Sequence, residues 1–308
     1  MSDLLNMDKN LHQEGTVSPC AAVRMVLHPA EKDLGGFMVR RLLPAEEMKS
    51  VGPVIFFDHF GPAQFPPGQG MDVRPHPHIG LATITYLFAG EILHRDSLGN
   101  VQPIRPAEIN WMTAGRGISH SERTPPALRE SGHSLHGLQL WVALPEDSEQ
   151  GEPDFVHYAA EQIPVVQHQG VSLRLIVGEA WGATSPVKAG SPTLYADVQI
   201  SQDGTLKLPD EVGERAVYVI AGEIQVQGVT IPQHCLALLN AIPELEVTAT
   251  TDTRLIVIGG KPLGKRTVWW NLVSSRKELI EQAKNDWHSG RFPQVPGETE
   301  KIPVPGGG

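Results

Sequence analysis

The stretch RPHPHIGLATITYLFAGEILHRDSLG, residues 74–99, decides the fold. His76 and His78 are one residue apart, so on an extended strand both imidazoles project from the same face. The run ATITYLF (82–88) is β-branched and aromatic, Gly90 provides a turn, and EILHRD returns before Asp96, Gly99 and Asn100 mark a hairpin end. A pair of potential metal ligands therefore leads into a strand, a glycine turn and a returning strand.

Forty-two residues beyond His78, GRGISHSERT (115–124) repeats the spacing with His120 and Glu122. Brought opposite each other in a barrel, the two pairs offer three nitrogens and one carboxylate oxygen. A lone His-x-His among thirteen histidines is commonly a surface pair. A His-x-Glu in the next hairpin of a β-rich domain favours a metal centre instead. The set contains no thiolate, which disfavours structural zinc and iron–sulfur clusters and suits iron, copper, nickel, manganese or cobalt, with zinc as a further option. One octahedral Fe(II) per chain, with two open positions, is the first choice.

The β pattern extends in both directions. MVRRLL (38–43), VIFFDHF (54–60), EINWMTA (108–114) and LQLWVAL (138–144) complete a first unit. The acidic PEDSEQGEPD (145–154) reads as a linker, dividing the chain into domains 1–150 and 151–308. VSLRLIVG (171–178), TLYADVQI (193–200), RAVYVIAGEIQVQG (215–228), HCLALLN (234–240) and TRLIVIGG (253–260) form a second unit. YLFAGEI (86–92) and YVIAGEI (218–224) match at a shift of 132 residues, which is the spacing of a duplicated domain. At that shift His76 meets Leu208 and His78 meets Asp210, so the second unit is expected to bind no metal and to brace the first. One helix is expected near the end, where Ser275 and Glu278 have capping-box spacing and Leu279, Ile280, Ala283 and Trp287 share a face. The Pro- and Gly-rich tail after it should lie extended over the surface or be disordered, with no catalytic role.

With 25 basic and 35 acidic residues the formal charge is -10, which argues against direct nucleic-acid binding. Two cysteines, Cys20 and Cys235, are too few for a disulfide scaffold. The first residues lack the apolar run of a secretory signal, and no stretch approaches a membrane span. The expectation is a cytoplasmic monomer with a flexible start up to about Thr16.

Several residues near the motifs carry weaker signals. His59 in FFDHFGP could line a pocket, but a structural role is favoured; His94 is expected to be exposed at a hairpin end and is not counted as a ligand. Trp111, Trp141, Trp269 and Trp270 read as core aromatics. Arg116 and Arg123 flank the second motif and are expected to bond carbonyls, not substrate.

The pattern Gly70-x5-His76-x-His78, followed by a strand and Gly90, resembles the first cupin motif, and residues 74–99 as a whole are similar to the pirin family. TAGRGISHSE (113–122) resembles that family's second motif, and the likeness continues into SSRKELIEQAKNDWHSGRF (274–292). The resemblance implies an all-β fold of two cupin barrels in tandem with a short C-terminal helix. It also implies a metal held only in the first barrel, by His76, His78, His120 and Glu122. The carboxylate that cupins usually carry three or four residues after His-x-His is missing, since Ala82 and Thr83 stand there, so Glu122 is expected to supply it.

Two functions are implied. One is a dioxygenase of quercetin 2,3-dioxygenase type that opens a flavonol with O₂. The other is a regulatory, transcription-cofactor-like protein acting through a protein partner. In the first, the metal's net positive charge favours the flavonol 3-hydroxyl as its anion, and Glu122 is the candidate base.

Overall fold

The computed structural model describes residues 15–16, 21–33 and 37–306. Cys20 and most of the leading segment lie outside the described residues. Each apolar run named above forms a strand, among them Met38–Leu43, Val54–Phe65, Leu81–Ala89, His133–Ala143 and Thr253–Gly260. Leu81–Ala89 is buried on both faces, which is why it reads as one continuous β-rich run. Ala82, Ile84 and Tyr86 point out of the barrel, while Thr85 points in towards Glu122.

The duplication is explicit in the strand order. The first large sheet runs Asp154–Tyr158, Ile109–Thr113, Leu81–Ala89, His133–Ala143, Val54–Phe65, Met38–Leu43, Ala30–Asp33. The second runs Val23–Leu27, Leu236–Leu239, Glu214–Ala221, Thr253–Gly260, Thr193–Ile200, Val171–Val177, Val165–His168, with Gly15–Thr16 added at its edge. A small sheet closes each barrel: Asp72–His78, Ile118–Arg123, Ile92–Asp96 and Val101–Ile104 in the first, Thr205–Lys207, Glu246–Ala249, Ile224–Val226 and Val229–Ile231 in the second. The orders correspond strand for strand, giving two cupin barrels in tandem. Apolar side chains fill the interior of the second, including Leu208, the counterpart of His76.

Strand pairing does not divide at residue 150. Val23–Leu27 pairs with Leu236–Leu239 in the second barrel, and Asp154–Tyr158 pairs with Ile109–Thr113 in the first. The acidic 145–154 segment is anchored: Glu149, 1% exposed, accepts bonds from Ser274 Oγ (3.0 Å), Ser275 N (2.9 Å) and Ser275 Oγ (2.7 Å). A buried carboxylate needs such donors, and it takes the serines that would otherwise cap the helix. Helix Lys277–His288 therefore begins with Arg276 at its N-cap and no side-chain cap, so the expected capping box does not form. A second, six-residue helix, Pro126–Ser131, was not anticipated, although Pro at its first turn is a usual start signal.

The C-terminal segment belongs to the first barrel. Ile280, Ala283, Trp287, Phe292 and Ile302 join Val39, Phe60, Ile79 and Ile92 in one buried cluster. Of the two expectations for the tail, extended over the surface or disordered, the first holds, and the tail is pinned. Ile302 N donates to Pro75 O (2.8 Å), Trp287 Nε1 donates to Ile302 O (2.8 Å), and Glu298 accepts from Ser121 Oγ (2.8 Å) and Arg123 (2.6 and 2.9 Å). Gly80 permits this approach: with φ +67° it lies so close to Val273 that a Cβ would fall 2.0 Å from the Val273 oxygen.

The two large sheets pack face to face through Ile84, Tyr86, Leu138 and Leu140 against Tyr195, Tyr218, Ile256 and Ile258. One end of this interface is polar. Tyr86 donates to Asp197 (2.8 Å), which also takes two bonds from Arg254 (2.9 and 2.5 Å). His59 is fully buried here, its Nδ1 2.7 Å from the Tyr218 hydroxyl and its Nε2 2.8 Å from His136 Nε2. It faces the other barrel, so its role is structural and it does not line the cavity of His76, His78 and His120.

Burial, then the neighbouring His136, Arg40 and His234, push His59 down from 6.5 to about 2; burial, Arg254, Arg40 and His234 push His136 down to about 4. Both hold their protons less tightly when folded than unfolded. Their contribution is complete above 6.5 and is lost as pH falls from there towards about 4 for His136 and about 2 for His59. His59 should cost about 1.4 kcal/mol of stability per pH unit in that window. Urea denaturation from pH 7 to pH 4 should therefore show a steeper loss for the parent than for His59→Gln. Equal slopes would contradict this.

Candidate metal centre

Asp72–His78 and Ile118–Arg123 pair antiparallel, with His76 opposite His120 and His78 opposite Ile118. The register then shifts, so that Glu122 stands opposite Val73. The extra residue lies on the first strand next to Pro75, which has no N–H for the ladder. All three histidines are at least 95% buried. Their ring centroids are 4.4, 4.9 and 5.0 Å apart, one ligand atom from each lies within 4.8 Å of the others, and His78 Nε2 is 3.1 Å from His120 Nε2.

The opposite edge of each ring fixes its tautomer. His76 Nδ1–H donates to Arg74 O (2.9 Å) and His78 Nδ1–H donates to Asn271 O (3.0 Å). His120 Nδ1 lies 3.4 Å from His94 Nδ1, and His94 Nε2–H donates to Asp96 Oδ2 (3.0 Å), which leaves His94 Nδ1 free to accept. Burial alone would raise Asp96, but bonds from His94 and Asn100 hold its carboxyl below the usual range. Each ligand histidine thus turns an Nε2 lone pair inward. Burial, opposed by the Arg74 carbonyl, pushes His76 down to about 4; burial and neighbouring imidazoles push His78 and His120 well below 6.5. Three neutral lone pairs converging with no proton between them fit a cation, and imidazole donors suit a transition metal.

Glu122 lines the same cavity but lies outside the tight histidine group. Burial raises its carboxyl, opposed by the neighbouring His94 ring and a bond from Thr85. The Thr85 hydroxyl lies 3.2 Å from Glu122 Oε1 and 2.9 Å from Gln139 Oε1, and its single proton serves one of them at a time.

The cavity is about 60 Å³, walled by Phe37, Val39, Phe56, Phe60, Met71, Val73, Ile92 and Trp141, with Asp58, Gln139 and Asn271 as further polar groups. Trp141 is more than core: it stacks on Phe56 at 4.1 Å and meets His78 edge-on at 5.2 Å. Trp111 and Trp270 are buried as expected, whereas Trp269 is half-buried. Asp58 takes both bonds from Arg41 at 2.8 Å. Arg116 and Arg123 face away and bind carboxylates, Glu152 and Glu298, not carbonyls.

His94 is the main correction. It is 3% exposed, not solvated, and it stacks on Phe155 at 4.4 Å. Ile92, His94 and Asp96 alternate inward along their strand, a period-2 signal that the nearby turn residues masked. Thr85 carried a similar signal, as a polar residue alternating with apolar ones. Asn271 carried none, because it reaches His78 across 193 positions of sequence.

Residues 36–142 match the family described as Pirin, and residues 195–293 match the pirin C-terminal cupin domain. A pirin-like protein of Caulobacter vibrioides is 45% identical over 288 residues, covering 92% of this chain and 99% of the relative. Pirin of Homo sapiens is 32% identical over 275 residues, covering 86% and 91%. The crystal structure of quercetin 2,3-dioxygenase from Acinetobacter baumannii superposes with a TM-score of 0.84 at 34% identity, covering 91% of this chain and 94% of that one. With both barrels matched in order, the chain belongs to the pirin family.

Proposed function

We propose that this chain is a metal-dependent oxygenase of quercetin 2,3-dioxygenase type, acting on a flavonol-like phenol with O₂, with Glu122 joining His76, His78 and His120 around Fe(II). The observation that carries the reading is the convergence of three neutral imidazole lone pairs at the base of a buried aromatic cavity. When bound, a divalent transition ion supplies positive charge that favours the anionic form of a phenolic hydroxyl. The chain does the rest. Arg74 O, Asn271 O and His94 hold the rings in one tautomer, the Phe56–Trp141 stack excludes water, and Glu122, raised by burial, can hold the hydroxyl proton.

A cavity of about 60 Å³ has room for roughly two waters, so a three-ring flavonol enters only if wall side chains move. That narrow cavity favours a second reading, a regulatory protein whose metal shapes a surface for a protein partner. Aerobic incubation of the Fe(II)-loaded protein with quercetin, following loss of flavonol absorbance and release of carbon monoxide, separates the two. A fully metallated sample without turnover supports the regulatory reading.

Glu122→Gln keeps the shape and one oxygen donor but removes most of the basicity. Turnover should fall at least about 100-fold, the lower end of what a general base contributes, while metal content falls far less. Unchanged turnover at full occupancy would exclude Glu122 as base.

A further inference from the structure

Asn271 sits in the short turn between strands Thr267–Trp269 and Leu272–Ser274, and it is 2% exposed. Its backbone carbonyl holds His78, a task that any residue at this position could perform. The side chain is unexplained by that bond. It lines the candidate metal cavity, and its Nδ2 is a buried donor with no acceptor among the described residues. Buried donors are nearly always paired, and an unpaired one is destabilising. The neighbouring polar groups do not answer it: the Asp58 oxygens bond Arg41 and Gln139 Oε1 bonds Thr85, and none of them bonds Asn271 Nδ2.

We propose that the Asn271 amide positions the small-molecule ligand of this cavity by donating to a deprotonated ligand oxygen, whether carboxylate, enolate or phenolate. The proposal rests on the metal-centre reading above. An uncharged amide donor next to a cation suits an oxygen anion, since hydrogen bonds to charged acceptors are the stronger kind. Most of the remaining wall is apolar, so this one donor would set which edge of the ligand faces the histidines.

The test uses full-length protein loaded with Co(II) and titrated with acetate, following the visible absorption of the cobalt, in the parent, Asn271→Leu and Asn271→Asp. Leu fills nearly the same volume without the amide, and Asp presents acceptors where the donor stood. Acetate affinity should fall about tenfold in Asn271→Leu and further in Asn271→Asp, with cobalt content unchanged in Asn271→Leu. The thermal midpoint of metal-free Asn271→Leu should equal or exceed that of the parent, because an unpaired donor has been removed. Equal acetate affinity in parent and Asn271→Leu would overturn the proposal. So would a lowered midpoint with loss of cobalt, which marks a structural role. A parent that takes up no cobalt removes the metal-centre reading, whereas a parent that holds cobalt but binds no acetate removes only the role of Asn271.

Discussion

Replacing His120 by alanine should reduce metal affinity by more than about 100-fold, beyond the 10–100-fold that the partners of ligands typically contribute. His120 stands between the other two ligands: its Nε2 is 3.1 Å from that of His78, and its ring is 4.4 Å from His76. The variant keeps two imidazoles on one strand, too few donors for tight binding of a transition metal. The barrel should persist, because both large sheets and the apolar core between them are untouched. Metal analysis beside far-UV circular dichroism checks both halves of this expectation. Purified parent should carry one equivalent per chain, and a near-stoichiometric metal content in His120→Ala would remove the site assignment.

A chain ending at Gly264 should fail to fold as the full chain does, despite retaining both barrels' strands. It would expose the cluster that Trp270, Leu272, Ile280, Trp287, Phe292 and Ile302 bury on the first barrel. Each such side chain contributes roughly 1.5–3 kcal/mol by burial, and the sum is comparable to the 5–15 kcal/mol net stability of a whole domain. The truncation also removes the Asn271 carbonyl that orients His78 and the serine donors that hold Glu149. Loss of the cooperative thermal transition, together with loss of metal, is the expected result. A truncated chain that melts within a few degrees of the parent and retains metal would show that the segment is decoration.

The two barrels were legible because their strands announce themselves locally, through β-branched runs, glycine turns and the repeated Tyr-x-x-Ala-Gly-Glu-Ile. The histidine triad was legible for the same reason: His76 and His78 share a face by the period of a strand, and His120 lies in the paired one. What escaped was set by distant sequence. The burial of His94 depends on Phe155, which arrives from beyond the supposed linker to stack on it. Ser275 has the spacing of a helix cap but is claimed by Glu149, more than a hundred residues earlier. The tail has the composition of a disordered segment, yet Ile302 and Glu298 find partners on strands that nothing near them in the chain identifies.

The crossing of the two ends has a consequence for the order in which a ribosome delivers this protein. His76, His78 and His120 emerge in the first half of synthesis, but the carbonyl at 271 and the strap that ends at Ile302 emerge last. The early strand Val23–Leu27 must in turn wait for Leu236–Leu239 before it joins the second barrel's sheet. An ion reaching the nascent chain meets imidazoles free to rotate and open to whichever metal is abundant. The finished chain offers them locked, dry and aimed, so any choice among metals at this site would fall to the folded chain and not to the chain still being made.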